Sequence, residues 1–136
     1  MTLDLSAEVV IEIPFHDVDA MGVVWHGHYI KYLEIARTAM LRRIGLDVPQ
    51  LKESGFGWFV AECHLKYIRP LSYGMQVCVK ATLLEHQNRV KVGYLITDVK
   101  TGELLNKAWT THLAVDSATG ELAFELPPIF DTVPKP

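Results

Sequence analysis

Apolar positions recur every second residue in EVVIEIPF, residues 8–15. Val9, Ile11, Ile13 and Phe15 therefore share one face, the signature of a strand packed on one side. From about Gly27 to Ile44 the period lengthens to that of a helix. Ile30, Leu33, Arg37, Met40, Leu41 and Ile44 mark one side, with Ala36 and Ala39 beside them. Arg37 interrupts this stripe, so its guanidinium either reaches solvent or has a partner. Arg42 and Arg43, followed by Gly45, make a fitting helix end, because cations complement the dipole and glycine accepts the conformation after a last turn.

Alternation resumes beyond the helix. GWFVAECHLKYIRP, 57–70, places Phe59, Ala61, Cys63, Leu65 and Tyr67 on one face and is closed by Pro70 and Tyr73-Gly74. MQVCVKATLLE, 75–85, aligns Val77, Val79, Ala81 and Leu83. VKVGYLITDV, 90–99, follows the polar turn His86-Gln87-Asn88, and LLNKAWTTHLAVD, 104–116, follows Thr101-Gly102-Glu103. A second Thr-Gly-Glu turn at 119–121 leads to a short ELAFEL segment, and the Pro-rich end PPIFDTVPKP is expected to lie along the surface or fray. One strand, a long helix and then four strands, read as an antiparallel meander, predict a single α+β domain over 1–136. In it one long helix is wrapped by a curved antiparallel sheet of about five strands. Strands of about 10 to 14 residues exceed the usual 5 or 6 and can curl around one helix. The outer face and edges then need cover, which a second copy of the chain would supply.

Composition narrows the function classes. A chain of 136 residues can bury a core of its own. With 49% hydrophobic residues, 21% charged residues and a net charge of -3, it gives no reason to expect nucleic acid or an anionic membrane as partner. The start MTLDLSAEVVIEIPF lacks the basic region and apolar run of a signal peptide, and no apolar stretch approaches the roughly 18 residues of a membrane span. A cytoplasmic location is expected. Cys63 and Cys78 fit no zinc or redox spacing and lie in strand-like runs, so they are expected to be reduced core thiols.

The chemistry concentrates in DVDAMGVVWHGHY, residues 17–29, at the mouth of the helix. An arbitrary Asp-x-Asp is most simply a polar loop with Asx turns. Here Met21, Val23, Val24 and Trp25 supply an apolar wall that would raise a carboxylate's basicity, which suits Asp17 or Asp19 as a general base or nucleophile. The helix entrance WHGHY holds no Ser, Thr, Asp or Asn to cap the first turn. Water or Gly27 as N-cap would explain that; alternatively the free N–H groups are kept for a ligand oxygen, with Gly27 permitting close approach. A carboxylate beside an oxyanion held at a helix start is the minimum equipment for hydrolysing an acyl group. His26 and His28 with Asp19 are a metal candidate of the wrong geometry, since i and i+2 point apart on a helix start and no third soft ligand is near. His26 fits hydrogen bonding or substrate positioning better, and His28 an exposed first turn. Glu34 is the next carboxylate that could face the site. Gly-x-Ser-x-Gly, Walker and Gly-x-Gly-x-x-Gly signatures are absent, and neither metal nor cofactor is expected.

The run Phe15-His-Asp-Val-Asp19-Ala-Met-Gly22-Val-Val-Trp-His26-Gly-His-Tyr29, followed by Tyr32-Leu-Glu34-x-Ala-Arg37, strongly resembles the 4-hydroxybenzoyl-CoA thioesterase family of hot-dog-fold acyl-CoA thioesterases. Tyr67-x-x-Pro70-Leu-x-x-Gly74 and the Thr119-Gly120 turn extend the likeness over nearly the whole chain. The resemblance implies a long helix wrapped by a curved sheet, subunits paired into a dimer or tetramer, and active sites at the subunit interface. It implies Asp19 as the catalytic carboxylate and the N–H of His26 as the group that polarises the thioester carbonyl. Asp17, Val24, Trp25, Gly27, Tyr29 and Glu34 are then expected around the substrate. Arg89, with Lys91, stands where the family places basic residues on CoA phosphates. Met21 occupies a position commonly small or Gly, narrowing the acyl pocket. The expected substrate is an acyl-CoA or acyl-carrier-protein thioester. A hot-dog hydratase or dehydratase acting on an enoyl thioester, or a non-catalytic acyl-thioester binder, are the alternatives.

Overall fold

A computed structural model describes residues 5–133. Five antiparallel strands, β1 (Ser6–Glu12), β2 (Phe56–Tyr67), β3 (Gln76–His86), β4 (Val90–Asp98) and β5 (Leu104–Asp116), form one sheet. The helix α1 (Tyr29–Arg43), led in by a single 3-10 turn at His26–His28, packs on β1 and β3. This is the α+β arrangement expected, with long strands around one long helix. A short helix α2 (Val48–Glu53) precedes β2 and escapes the periodicity reading because it is less than two turns long. Its start is nonetheless signalled in the sequence, where Asp47 caps the Val48 N–H at 2.7 Å and Pro49 sits in the first turn.

The strand order is β1-β3-β4-β5-β2. Only β3, β4 and β5 form a meander, so the expectation of four consecutive neighbours is corrected. β2, which follows α1 and α2 in the chain, pairs with β5 at the far edge of the sheet, from Phe56↔Asp116 to Tyr67↔Asn106. The expected face of β3 is fully inside: Val77, Val79, Ala81 and Leu83 are each at most 1% exposed. Burying one such aliphatic side chain contributes about 1.5–3 kcal/mol. Val90, Val92, Tyr94 and Ile96 of β4 continue that layer.

Several face assignments shift for identifiable reasons. Strand β1 stops at Glu12, and Pro14 leads into a 3-10 turn at Phe15–Asp17, so Phe15 leaves the Val9–Ile11–Ile13 face and is 73% exposed. The buried stripe of α1 is Tyr29, Tyr32, Leu33, Ala36 and Met40, turned away from Ile30, which is exposed. Two tyrosines can occupy that stripe because each hydroxyl finds a partner: Tyr32 donates to Asp17 and Tyr29 accepts from Leu71 N–H. In β2 the register slips between Val60 and Glu62, leaving Ala61 as a bulge that breaks the alternation through Phe59. Phe59, Cys63 and Tyr67 are exposed on this edge strand, and Cys78 is only half-buried, so the two cysteines are not core thiols. The ELAFEL segment makes one bridge, Val115↔Leu122, rather than a strand. The C-terminal segment does not fray at once: Phe130 and Val133 are buried in the core, while 134–136 lie outside the described residues.

Candidate active site

Residues 17–25 form a tight hairpin ahead of the helix. The Asp19 N–H donates to the Val23 carbonyl at 2.9 Å and Gly22 N–H returns to the Asp19 carbonyl at 3.0 Å. Gly22 has φ +81, the left-handed conformation that favours glycine at this tip. The hairpin is anchored at its base, where Val24 N–H donates to Leu71 and Trp25 N–H to the Asp17 carbonyl.

The two aspartates part company here. Asp17 is 2% exposed; its carboxylate accepts 2.7 Å from Lys31 Nζ and 2.6 Å from the Tyr32 hydroxyl. Burial alone would raise its pKa, but the hydrogen bonds from Lys31 and Tyr32 outweigh burial and hold it below the ordinary value. Burial, reinforced by Asp17, pushes the Tyr32 hydroxyl well up. Asp17 is thus a structural clasp between the hairpin and the first turns of α1.

Asp19 is exposed and lines a cleft of about 350 Å³. Its Oδ1 accepts 2.8 Å from the Met21 N–H, so the Asx turn of the simplest reading is present and orients the carboxylate. Val23, Val24, His26 and Tyr29 line the same cleft, and Tyr67, Ile68, Arg69 and Pro70 complete it. Of this second wall, sequence reading offers Tyr67, with Phe56 and Trp58, as a possible lining of an aromatic or fatty pocket, but it gives no role to Ile68 or Arg69. Tyr67 donates 2.8 Å to the His26 carbonyl and packs edge-on against the Tyr29 ring at 4.8 Å. The carbonyl of His26 is therefore engaged, while the N–H groups of His26 and Gly27 have no acceptor among the described residues. No side chain caps either the 3-10 turn or α1. Asp19 and His26 thus line one cleft, while Gly27 and Trp25 are not among its lining residues.

Trp25 stacks obliquely on His26 and edge-on to His28, and its indole lies over Gly27 so closely that a Cβ there would overlap the ring. Gly27→Ala should therefore displace the indole. The expected result is a shifted Trp fluorescence maximum with a stability change within about 0.5 kcal/mol, because the half-exposed indole can swing aside into solvent. An unchanged emission spectrum would refute this contact. Among the described residues no group of three or more His, Cys, Asp or Glu side chains could hold a metal.

The remaining candidates lie elsewhere on the chain. Glu34 is exposed, 3.5 Å from Arg37, and borders a different cavity. Arg89 reaches Glu62 at 3.6 Å and Glu85 at 3.5 Å, and Lys91 sits 5.0 Å over the Trp109 ring. Lys91 pairs in register with Thr111, whereas the cleft end of β5 is at Asn106 opposite Tyr67. Those five residues separate them by roughly 17 Å along the strand. Within one chain neither basic residue meets Asp19.

Two buried polar groups had no sequence signal. Asn106 is fully buried on β5 with both side-chain polar atoms unpartnered, and Trp58 Nε1 is likewise buried without an acceptor. Neither belongs to a motif, and alternation alone assigns them to a face without saying what they meet.

Known proteins resemble this chain over most of its length. The sequence pattern of the thioesterase-like superfamily matches residues 13–133. The candidate esterase sll0410 of Synechocystis sp. is 34% identical over 123 residues, covering 90% of this chain and 74% of that protein. The candidate acyl-CoA thioesterase YneP of Bacillus subtilis is 33% identical over 108 residues, covering 78% of this chain and 77% of its own. Among solved structures, Slr0204, a 1,4-dihydroxy-2-naphthoyl-CoA thioesterase from Synechocystis, superposes with a TM-score of 0.83 at 20% identity, covering 93% of each chain. With its wrapped helix and five-stranded curved sheet, the chain belongs to the thioesterase-like superfamily of hot-dog-fold proteins.

Proposed function

We propose that this thioester hydrolase cleaves acyl-CoA thioesters to a carboxylic acid and free CoA. The observation that supports this reading is the cleft lined by both Asp19 and His26, the latter with a backbone N–H that has no acceptor among the described residues. Asp19 acts in one of two ways. As a base it takes a proton from water, whose oxygen attacks the carbonyl carbon. As a nucleophile it takes the acyl group itself, forming a mixed anhydride that water then opens. In both routes the thioester C–S bond breaks and the sulfur leaves as thiolate to be protonated. The His26 N–H receives the carbonyl oxygen as it becomes an oxyanion, a donor typically worth about 3 kcal/mol in the transition state. Asp17 supports the loop, and Val24 and Tyr29 shape the reacting end of the pocket.

The exposed edge of β2 supports pairing with a second copy, and Arg89 and Lys91 would then meet CoA phosphates from across that interface. An acyl group carried on a protein would use the same cleft without those two residues. The names of the relatives, YneP among them, favour CoA.

The test is a thiol-release assay over short, long and aromatic acyl-CoAs, with one enoyl-CoA monitored for both free thiol and water addition. Thiol release with no hydration is expected. Hydration without thiol release would replace the reading with a hydratase. Tight binding with neither product would make the protein a binder.

A further inference from the structure

The helix-facing side of the sheet is not uniformly apolar. On β3 it reads Val77, Val79, Ala81 and Leu83, and α1 packs there. On β5 the same side reads Asn106, Ala108, Thr110 and His112, all buried. Three polar residues in four positions is an unusual core face, because each buried polar group lacking a partner is destabilising. Part of the row is satisfied internally: the Tyr94 hydroxyl and Thr110 Oγ1 are 2.8 Å apart, as are Thr110 Oγ1 and His112 Nε2. Burial, with the positive charge of Arg37 nearby, pushes His112 down to about 4, so it is a neutral imidazole at physiological pH. Asn106 and Trp58 Nε1 remain unpartnered.

Beside this row lies a cavity of about 320 Å³ between α1, α2 and the β2–β5 half of the sheet. Its walls are apolar at Leu41, Leu51, Val92 and Phe130, and polar at Arg37 and His112. Trp58 also lines it. The Arg37 guanidinium is largely covered; it hydrogen-bonds the Tyr94 hydroxyl, and its carboxylate contact is a single 3.5 Å approach to Glu34, itself half in solvent. A guanidinium carries several N–H donors, so it can still take a carboxylate from the cavity, whereas the Trp58 indole N–H is sealed off from that space.

The cavity and the cleft lie along the same gap between α1 and β2. Tyr29 and Tyr67 belong to the cleft, Glu34, Arg37 and Val60 to the cavity. Between them Ile30 and Cys63 are exposed, and Cys63 lies close enough to feel the charges of Arg37 and Glu34. From Tyr29 to Arg37 is eight helical residues, roughly 12 Å.

Resting on the hydrolase reading above, we propose that this gap is the acyl channel and that Arg37 selects acyl groups ending in a carboxylate. The thioester end sits at Asp19 and His26, the chain runs past Ile30 and Cys63, and the distal carboxylate accepts from the guanidinium. The apolar walls contact the methylenes between. Glu34, on the rim, yields its weak hold on Arg37 to the incoming anion.

The test compares decanoyl-CoA with sebacoyl-CoA, equal in length but ending in methyl or carboxylate. It uses the wild type and Arg37→Met, which keeps the aliphatic stem and loses the charge. The wild type is expected to favour sebacoyl-CoA in kcat/KM by about tenfold or more, the scale of a charge-assisted hydrogen bond. The preference should collapse in Arg37→Met. A wild type that favours decanoyl-CoA, or a preference that Arg37→Met retains, overturns the proposal. Calorimetric titration with free sebacate and free decanoate reads the same pocket without turnover. Sebacate binding about tenfold tighter, and dependent on Arg37, supports it even if no thioester is hydrolysed, an outcome that would defeat only the hydrolase reading. Equal binding of the two acids overturns it.

Discussion

Asp19→Asn is expected to lower kcat on the best acyl-CoA by about a hundred- to ten-thousandfold, the usual contribution of a positioned base. The fold should be untouched. Asparagine keeps an oxygen at the position of Oδ1, so the 2.8 Å bond from the Met21 N–H survives and the hairpin holds its shape. The position is exposed, so the change in stability should stay within about 0.5 kcal/mol. What the amide cannot do is take a proton from water or form an anhydride with the acyl group. Steady-state thiol release with a parallel thermal melt separates the two effects. A variant with near-normal turnover would remove Asp19 from the reaction, whichever of the two routes is followed.

The neighbouring aspartate should show the opposite phenotype in stability. Asp17→Ala removes a buried carboxylate and strands the Tyr32 hydroxyl, which is buried and donates to it at 2.6 Å. A loss of about 2–3 kcal/mol is expected, the lower side of the range for breaking a buried charge pair because Lys31 is half exposed. For a chain of this size that lowers Tm by roughly 5–12 °C. The pH dependence has a definite sign. Asp17 is held below 3.8 in the folded protein by Lys31 and Tyr32, against the opposing effect of burial. Its contribution is therefore fully present above the unfolded-state value and is lost as pH falls through the folded one. Wild type and Asp17→Ala should differ in stability at neutral pH and converge in strong acid. Denaturant melts across that range check this, and a gap that is constant with pH would show that the carboxylate is not the source.

What could be read from the residues follows from which forces are local. The face of β3 was legible because Val77, Val79, Ala81 and Leu83 alternate without interruption and meet an apolar helix. The end of α1 was legible because Gly45 comes one residue after two arginines, and the chain turns there with Leu46 N–H donating to Leu41. The stripe of α1 was misjudged because tyrosine counts as polar or apolar according to what its hydroxyl meets, and Asp17 and Leu71 are remote in sequence. β2 was misjudged because a bulge at Ala61 has no composition signature and its effect is to exchange faces midway. The strand order was not legible at all: nothing local in β2 says that its partner is β5 rather than β3. At the site, the DVDAMGVVWHGHY run delivered Asp19, His26, Val24 and Tyr29 to one cleft, while Tyr67–Pro70 join it only through tertiary packing. Asp17 was expected beside the substrate; its burial as an ion was not legible, because the Lys31 and Tyr32 that hold it come from the helix folding over it.

The remote pairing of β2 also governs how the chain can be made. β2 leaves the ribosome with no strand to receive it, because residues 68–103 must follow before β5 begins. At ordinary elongation speed the wait is on the order of seconds. During it the stretch Phe56–Tyr67, rich in aromatic residues, offers open backbone to any other nascent copy. Half of the sheet can close only once Asp116 has emerged, which makes the yield of native protein sensitive to translation rate and to chaperone supply.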